Sequence, residues 1–228
     1  MDRRRRYLDS QSQSKRRAGR ARVAPRRRAR WQDGRVATPL EQLLAAVHAA
    51  PPRTAATRVV AIDGRSGSGK STLARALARE LDAPVVALED LYGGWDGLED
   101  GVLLLGSAVL RPLAAGRAAR VPRYDWHAAA WGEPWRLAPP EHLIIEGVGA
   151  GARTLAPYTS VLVWLELRAA IRRERALARR HGELYAPHWQ RWALQEDTFF
   201  ERERPRERAD LVIDAEQLGP PGTVPGDG

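Results

Sequence analysis

The sequence predicts an α/β fold in which a mainly parallel, five-stranded sheet is covered by helices on both faces, as a three-layer sandwich. Two observations support this prediction. Short apolar runs rich in Val, Ile and Leu alternate along the chain with longer segments of helical periodicity. A glycine-rich loop joins the first apolar run to a helix, and this order is typical of parallel sheets with helical crossovers.

Basic residues are concentrated in the first part of the 228-residue chain, whose formal net charge is +9. Residues 1–36 hold 13 Arg and one Lys against three Asp, a net charge of +11. Residues 37–228 hold 23 basic and 25 acidic residues, a net charge of −2. Because residues 1–36 are also poor in apolar side chains, we predict a disordered Arg-rich arm there. A folded domain over 37–218 and a disordered Pro/Gly tail over 219–228 are expected to follow.

Three interpretations of the arm are open. It is a solvated extension or the result of an early start site, or it contacts nucleic acid or another polyanion through phosphates, or it is a targeting peptide. No apolar segment follows the arginines, which argues against a secretory signal. No apolar run reaches the length of about 18 residues that a transmembrane helix needs. The absence of Cys excludes disulfides and thiolate chemistry, and it fits a reducing, cytoplasmic setting.

The predicted elements follow one another in a regular order. The chain enters a short helix at Pro39, where Thr38 and Glu41 have the spacing of a capping box. A Trp- and Tyr-rich stretch over residues 120–137 is predicted to be irregular or a small β excursion. The predicted strands cover residues 58–63, 84–88, 142–146, 160–165 and 209–214. The remaining predicted helices cover residues 71–81, 98–115, 168–180 and 186–202.

The loop over residues 64–71 reads Gly-Arg-Ser-Gly-Ser-Gly-Lys-Ser and fits the phosphate-binding pattern G-x-x-x-x-G-K-[ST], the P-loop. The strand before it and the amphipathic helix after it provide the required context. Backbone N–H groups and the helix dipole would then face phosphates, so ATP and Mg²⁺ are the expected cofactors. The predicted nucleotide-binding residues are Gly64, Arg65, Ser66, Gly67, Ser68, Gly69, Lys70, Ser71 and Thr72.

Lysine is rare in this chain: only Lys15 in the arm and Lys70 in the loop occur among 37 basic residues. A compact ammonium can reach between two phosphates as a point charge, whereas a guanidinium fork is wider and more rigid. We therefore predict that Lys70 clamps the phosphates and acts in catalysis. Ser71 is predicted to place its hydroxyl on Mg²⁺.

Two carboxylates follow apolar strands close to the P-loop in the predicted fold. Asp90 comes after the second strand, and Glu146 ends the third. Ligands of open α/β sheets bind beyond the carboxyl ends of the strands. Phosphoryl transfer needs a Mg²⁺ clamp and a group that orients or deprotonates the attacking hydroxyl. We assign Glu146 and Ser71 as ligands of Mg²⁺, and Asp90 as the general base. Because Asp90 is expected to lie close to these two residues, it is also a candidate metal ligand.

At these residues the chain resembles the uridine kinase-like branch of the P-loop kinases, a group of nucleoside and sugar kinases. The resemblance implies that Asp90 is the base, that Asp96 holds sugar hydroxyls and that segment 121–126 forms the base-binding wall. The similar segments occur in the family's order over residues 90–92, 95–100, 121–126, 144–147 and 209–213. The substrate-binding residues implied by the resemblance are Tyr92, Asp96, Tyr124, Asp125, Trp126 and His127.

The chain departs from the family pattern around the acceptor. His127 directly follows Trp126, whereas the family has a His further along, and Leu91 replaces a small polar residue. The same region is rich in tryptophan. These side chains either pack the lid or stack on a planar ring of the acceptor, and each such stacking contact contributes about 1–3 kcal/mol. We therefore expect an acceptor that contains a ring and a hydroxyl group, and these departures argue against uridine or cytidine in particular. These tryptophans are Trp95, Trp126, Trp131 and Trp135.

The predicted helix over residues 168–180 is rich in arginine. Arg172, Arg175 and Arg179 have the i, i+3, i+7 spacing of one helix face. The resemblance implies a helical lid whose arginines stabilise charge on the transferring phosphoryl group. A solvated face paired with neighbouring Glu residues is the alternative. We assign Arg172 and Arg175 as the catalytic pair.

These observations lead to one main hypothesis and two rivals. The main hypothesis is an ATP- and Mg²⁺-dependent small-molecule kinase that transfers the γ-phosphoryl group to a hydroxyl of a nucleoside-like acceptor. A nucleoside monophosphate kinase would need arginines for the acceptor phosphate, and Arg111, Arg123 and Arg136 are the candidates. A regulatory nucleotide-binding NTPase module, anchored to nucleic acid by the arm, is the second rival.

Overall fold

A computed structural model describes residues 37–178 and 182–218 of the chain. The predicted arm and tail therefore lie outside the described residues. The strands are β1 (Arg58–Asp63), β2 (Val85–Ala87), β3 (Ala119–Val121), β4 (Tyr124–Asp125), β5 (Ala130–Trp131), β6 (Trp135–Leu137), β7 (His142–Glu146), β8 (Val161–Glu166) and β9 (Leu211–Asp214). The α-helices are α1 (Pro39–Ala49), α2 (Lys70–Leu81), α3 (Leu98–Leu104), α4 (Arg111–Ala114), α5 (Ala169–Leu177), α6 (Gly182–Tyr185), α7 (Trp189–Glu203) and α8 (Pro205–Arg208).

The central sheet has five strands in the order β2-β7-β1-β8-β9, and every neighbouring pair is parallel. The prediction of a mainly parallel five-stranded sheet is therefore confirmed. Because the strands are parallel, their carboxyl ends meet at one edge of the sheet. The middle strand, β1, leads at that edge directly into the glycine-rich loop and α2.

Alternate residues of β1 enter two separate cores. Val60 and Ile62 pack in the layer that α1 and α2 build, and Val59 and Ala61 face the layer of α3, α4 and α7. Both faces of the sheet are thus covered, which confirms the three-layer sandwich. The near-continuous apolar composition of β1 follows from this double burial.

Helix α1 begins with the predicted capping box. The Thr38 hydroxyl accepts a hydrogen bond from the Glu41 N–H at 3.3 Å. The Glu41 carboxylate in turn accepts one from the Thr38 N–H at 2.7 Å. Two N–H groups at the helix start are satisfied reciprocally in this way.

Residues 98–114 form one continuous helical rod, in which a π-helical segment, Leu105–Leu110, separates α3 from α4. The predicted helix over this region is therefore confirmed. Gly101 has a packing role, because a Cβ at this position would lie 2.5 Å from the Tyr92 ring. The small residue lets the ring pack directly against the helix backbone.

The stretch predicted to be a β excursion contains two small antiparallel ladders, β3 with β6 and β4 with β5. The Asp125 carboxylate shapes the turn of the second ladder by accepting N–H groups from His127 at 2.8 Å and Ala128 at 3.0 Å. Within the described ranges, no helix is both long enough and apolar enough to span a bilayer.

Candidate active site

The glycine-rich loop wraps from the end of β1 to the first turn of α2. Gly67 has a φ of +81°, and a Cβ there would lie 2.1 Å from the Arg172 carbonyl oxygen, so α5 approaches the loop closely. Gly69 is the N-cap of α2 and makes no side-chain cap hydrogen bond, so the positive end of the helix dipole lies at the loop. The buried Ser68 hydroxyl has no hydrogen-bond partner among the described residues. These features fit a loop that a bound phosphate completes.

Lys70 is the first residue of α2, and its side chain folds back over the loop. Its exposed fraction is 7%. The Lys70 ammonium donates a hydrogen bond to the Arg65 carbonyl oxygen at 3.0 Å. The ammonium is therefore held against the loop, where partial desolvation would strengthen its attraction to an anion.

Ser71 and Glu146 meet at the edge of the sheet. The Ser71 hydroxyl donates to Glu146 Oε1 at 2.8 Å. Glu146 ends β7, whose neighbours are β1 and β2, with Ile62 and Ala87 as its register partners. No group of three or more His, Cys, Asp or Glu suited to a metal occurs among the described residues. One hydroxyl and one carboxylate, completed by phosphate oxygens and water, fit the usual shell of Mg²⁺ in such sites.

Asp63 ends β1 directly before the loop and was missed by the sequence analysis. Its fully buried carboxylate accepts N–H groups from Gly64 at 2.7 Å, Gly149 at 3.1 Å and Gly151 at 2.8 Å. The carboxylate thus ties the start of the P-loop to the turn that follows β7. The sequence feature that could have indicated Asp63 is a charged residue at the end of a predicted buried strand.

We expect Asp63 to make stability depend on pH. Burial raises the pKa of Asp63 from 3.8 to about 6, against the opposing effect of its N–H donors. The folded state therefore binds the proton more tightly, so the contribution of Asp63 to the unfolding free energy falls as pH rises between these values. At about 1.4 kcal/mol per pKa unit the fall is about 3 kcal/mol. Urea unfolding of the wild type and of Asp63→Asn from pH 3.5 to 7 measures it. A pH-independent difference between the two proteins would contradict this expectation.

Asp90 lies in a 3-10 turn, Leu88–Leu91, directly after β2. It is three residues beyond Ala87, the register partner of Glu146, so it lies at the same sheet edge as the Ser71–Glu146 pair. Burial raises the pKa of the half-buried Asp90, Glu89 adds to this, and Arg123 opposes it. A more basic carboxylate is a better acceptor for the proton of an attacking hydroxyl.

Aromatic rings cluster beside Asp90 and mostly pack on one another. Trp95 stacks on His188 with centroids 4.3 Å apart and on Tyr185 at 5.5 Å. Trp126 lies 4.7 Å from Trp95, and its indole N–H donates to the Glu89 carbonyl at 3.0 Å. Tyr124 meets Trp126 and Trp131 edge-on. The described positions place the predicted acceptor-side residues Tyr124 and Trp126 in this cluster.

Three residues predicted to bind the acceptor have other partners. Tyr92 is 3% exposed and donates its hydroxyl proton to the Val148 carbonyl at 2.7 Å. The Tyr92 side chain therefore belongs to the core, and its role in acceptor binding stays a prediction. Asp96 forms an exposed ion pair with Arg191. Asp125 is occupied by the turn that includes His127, which itself is exposed.

The two assigned lid arginines lie on α5, and Arg179 falls outside the described residues. Arg172 donates from Nε to the Leu167 carbonyl at 3.1 Å and from Nη1 to the Ser66 carbonyl at 3.2 Å. Arg172 therefore contacts the P-loop itself. Arg175 lies one turn further along the same helix and is partly exposed.

Helix α7 also contacts the P-loop, through residues that the sequence analysis did not single out. The Glu196 carboxylate is 2% exposed and accepts the Ser66 N–H at 2.9 Å. It shares its Oε1 atom with the indole N–H of Trp192 at 3.0 Å. The sequence feature that could have indicated Glu196 is an acidic residue four positions after Trp192, on a helix face that continues with apolar side chains.

The arginines proposed for an acceptor phosphate are dispersed. Arg123 lies near enough to Asp90 to lower its pKa. Arg111 is exposed at the start of α4, and Arg136 is exposed on β6 opposite Arg120.

Two solved structures have a fold similar to that of this chain. No protein-family model and no curated protein matches the chain. A solved structure described as a possible uridine kinase from Bacillus stearothermophilus is similar with a TM-score of 0.56 and 24% identity, over 77% of this chain and 97% of that chain. A protein described as a fructose transport system kinase from Silicibacter sp. TM1040 gives a TM-score of 0.50 and 24% identity, over 78% and 100%. At this identity the likeness shows the fold alone: the chain shares the α/β fold of these two solved structures, in agreement with the predicted fold class.

Proposed function

We propose that the protein is an ATP- and Mg²⁺-dependent phosphotransferase that acts on a hydroxyl of a ring-containing, nucleoside-like acceptor. The observation that carries this proposal is the hydrogen bond between Ser71 and Glu146, beside Lys70 and at the same sheet edge as Asp90. In this proposal the phosphate-binding lysine, the two metal ligands and the candidate base belong to one site. The P-loop kinase fold supports the same conclusion.

The roles follow from the chemistry of each group. Asp90 takes the proton of the acceptor hydroxyl while the hydroxyl oxygen bonds to the γ-phosphorus of ATP. The bond from that phosphorus to the β–γ bridging oxygen breaks, and ADP leaves. Lys70 and lid arginines stabilise the charge on the phosphoryl oxygens. Ser71 and Glu146 would hold Mg²⁺, which neutralises phosphate charge when it is bound.

The aromatic residues beside Asp90 favour an acceptor that contains a planar ring. Trp95, Trp126 and Tyr124 form an aromatic wall next to the turn that carries Asp90. Aromatic faces of this kind stack nucleobases at about 1–3 kcal/mol per ring. A nucleoside monophosphate acceptor is the second candidate, because Arg123 lies close to Asp90 and offers a partner for an acceptor phosphate.

An acceptor screen tests the proposal. ADP release from ATP and Mg²⁺ is measured with panels of nucleosides, nucleoside monophosphates and sugars, and the expected result is stimulation by at least one hydroxyl-bearing ring compound. Nucleosides acting better than monophosphates would favour the first candidate, and the reverse order would favour the second. The Lys70→Ala variant reports the background. ATP binding without stimulation by any member of these panels would contradict the assignment as a kinase of this class.

A further inference from the structure

The backbone of Ser66 in the P-loop is held from two sides by helices α5 and α7. Its N–H donates to Glu196 Oε1 at 2.9 Å, and its carbonyl accepts from Arg172 Nη1 at 3.2 Å. Its hydroxyl accepts from the Trp192 indole N–H at 3.1 Å. We call the three side chains Glu196, Trp192 and Arg172 the Ser66 clamp.

Packing alone does not explain why the carboxylate of Glu196 is buried. The carboxylate is 2% exposed, among Trp192 and apolar neighbours on α7. A buried carboxylate is unfavourable unless hydrogen bonds and opposite charge compensate it. Here the Ser66 and Trp192 N–H groups bond it, and Arg65 Nη1 lies 3.9 Å from Oε2. An apolar side chain would fill the same space but would leave the Ser66 N–H unsatisfied.

The same stretch of α7 also reaches the acceptor side. Gln195, the neighbour of Glu196, donates to the Trp95 carbonyl at 2.8 Å. Arg191, one turn earlier, pairs with Asp96. Adjacent residues of one helix thus hold the phosphate loop and the aromatic wall. A rigid helix that contacts both fixes their separation, which is what in-line transfer requires.

We propose that Glu196 is a positioning residue, which holds the P-loop in its phosphate-binding shape through the Ser66 N–H. Its role depends on accepting that hydrogen bond rather than on its charge. The N–H groups that follow Ser66 are thereby oriented before a nucleotide arrives, so binding does not have to order the loop. Arg172 serves the same loop from α5, in addition to the catalytic role assigned to it. This inference rests on the proposed nucleotide binding at the loop.

The test is the affinity of the full-length protein for ADP with Mg²⁺, measured by calorimetric titration beside thermal unfolding. Glu196→Ala is expected to weaken ADP binding about tenfold or more, because the Ser66 N–H loses its buried acceptor. Glu196→Gln is expected to stay within about threefold of the wild type, because its amide oxygen can still accept. Glu201→Ala, which removes an exposed carboxylate of the same helix, is the matched control and should leave affinity unchanged.

Two results would overturn the inference: a folded Glu196→Ala variant with wild-type affinity for ADP, or a Glu196→Gln variant as weak as Glu196→Ala. If Glu196→Ala does not fold, Trp192→Phe replaces it, because this change removes the indole donor to both Ser66 and Glu196. The affinity of Trp192→Phe for ADP is then expected to fall about tenfold, and a value within about threefold of the wild type would reject the clamp. Absence of ADP binding by the wild type would instead reject the proposed function, so the two failures are distinguishable.

Discussion

Replacing Lys70 by Arg is expected to reduce kcat/KM for ATP by about 100- to 1,000-fold, nearly as much as replacing it by Ala. The ammonium lies 3.0 Å from the Arg65 carbonyl in a position that is 7% exposed. A planar guanidinium is wider and more rigid than an ammonium, so we expect that it does not reproduce the point charge between the phosphates. Acceptor-dependent ADP release measures the effect, with circular dichroism to verify folding.

Arg75→Lys is the matched control for this change, since it alters an exposed basic residue on the same helix. We expect its kcat/KM to equal that of the wild type. Retention of a third or more of the wild-type value by Lys70→Arg would show that any cation at this position suffices. The phosphate-clamp role of Lys70 would then need revision.

Replacing Asp90 by Asn is expected to lower kcat by about 1,000-fold while leaving the Kd for ADP within about threefold of the wild type. The amide has the size of the carboxylate but cannot accept the proton of the acceptor hydroxyl. Single-turnover assays and calorimetric titration separate the two quantities. An equal loss of nucleotide binding would identify Asp90 as a metal ligand, and a near-normal kcat would remove it from catalysis.

The acid limb of the pH–rate profile provides a further test of Asp90. Burial raises the pKa of Asp90, and Glu89 raises it further. Activity should therefore be lost on acidification at a higher pH than an ordinary Asp would give, because the protonated form cannot act as base. Glu89→Gln should preserve kcat near neutral pH and move the acid limb to lower pH. A profile that does not move would contradict the assignment of this limb to Asp90.

Much of the donor side could be predicted from local pattern. The strand, loop and helix around residues 58–81 are consecutive in the chain, and their apolar periodicity is decided by burial on one or two faces. The proximity of Ser71 and Glu146 followed from a single rule, since parallel strands end at the same edge. Their 2.8 Å hydrogen bond agrees with that expectation, although their role as Mg²⁺ ligands remains a prediction.

The supports of the loop could not be predicted in the same way. Asp63 binds N–H groups 86 and 88 residues away, and Glu196 reaches Ser66 across 130 residues. Contacts of this kind depend on how helices and turns pack against the sheet, which leaves no periodic trace in the sequence. The position of Tyr92 could not be predicted either: its motif resembles an acceptor contact, and packing against Gly101 places the ring in the core.

The sequence by itself determined the fold class, the position of the phosphate loop and the sheet edge where the site lies. These properties depend on residue order and on the alternation of apolar side chains, and both can be read from neighbouring positions. Tertiary structure alone decided which groups hold the loop in shape and which aromatic rings face one another beside Asp90. Their hydrogen bonds and stacking distances arise only when α5, α7 and the small β ladders are brought together over the ends of the strands.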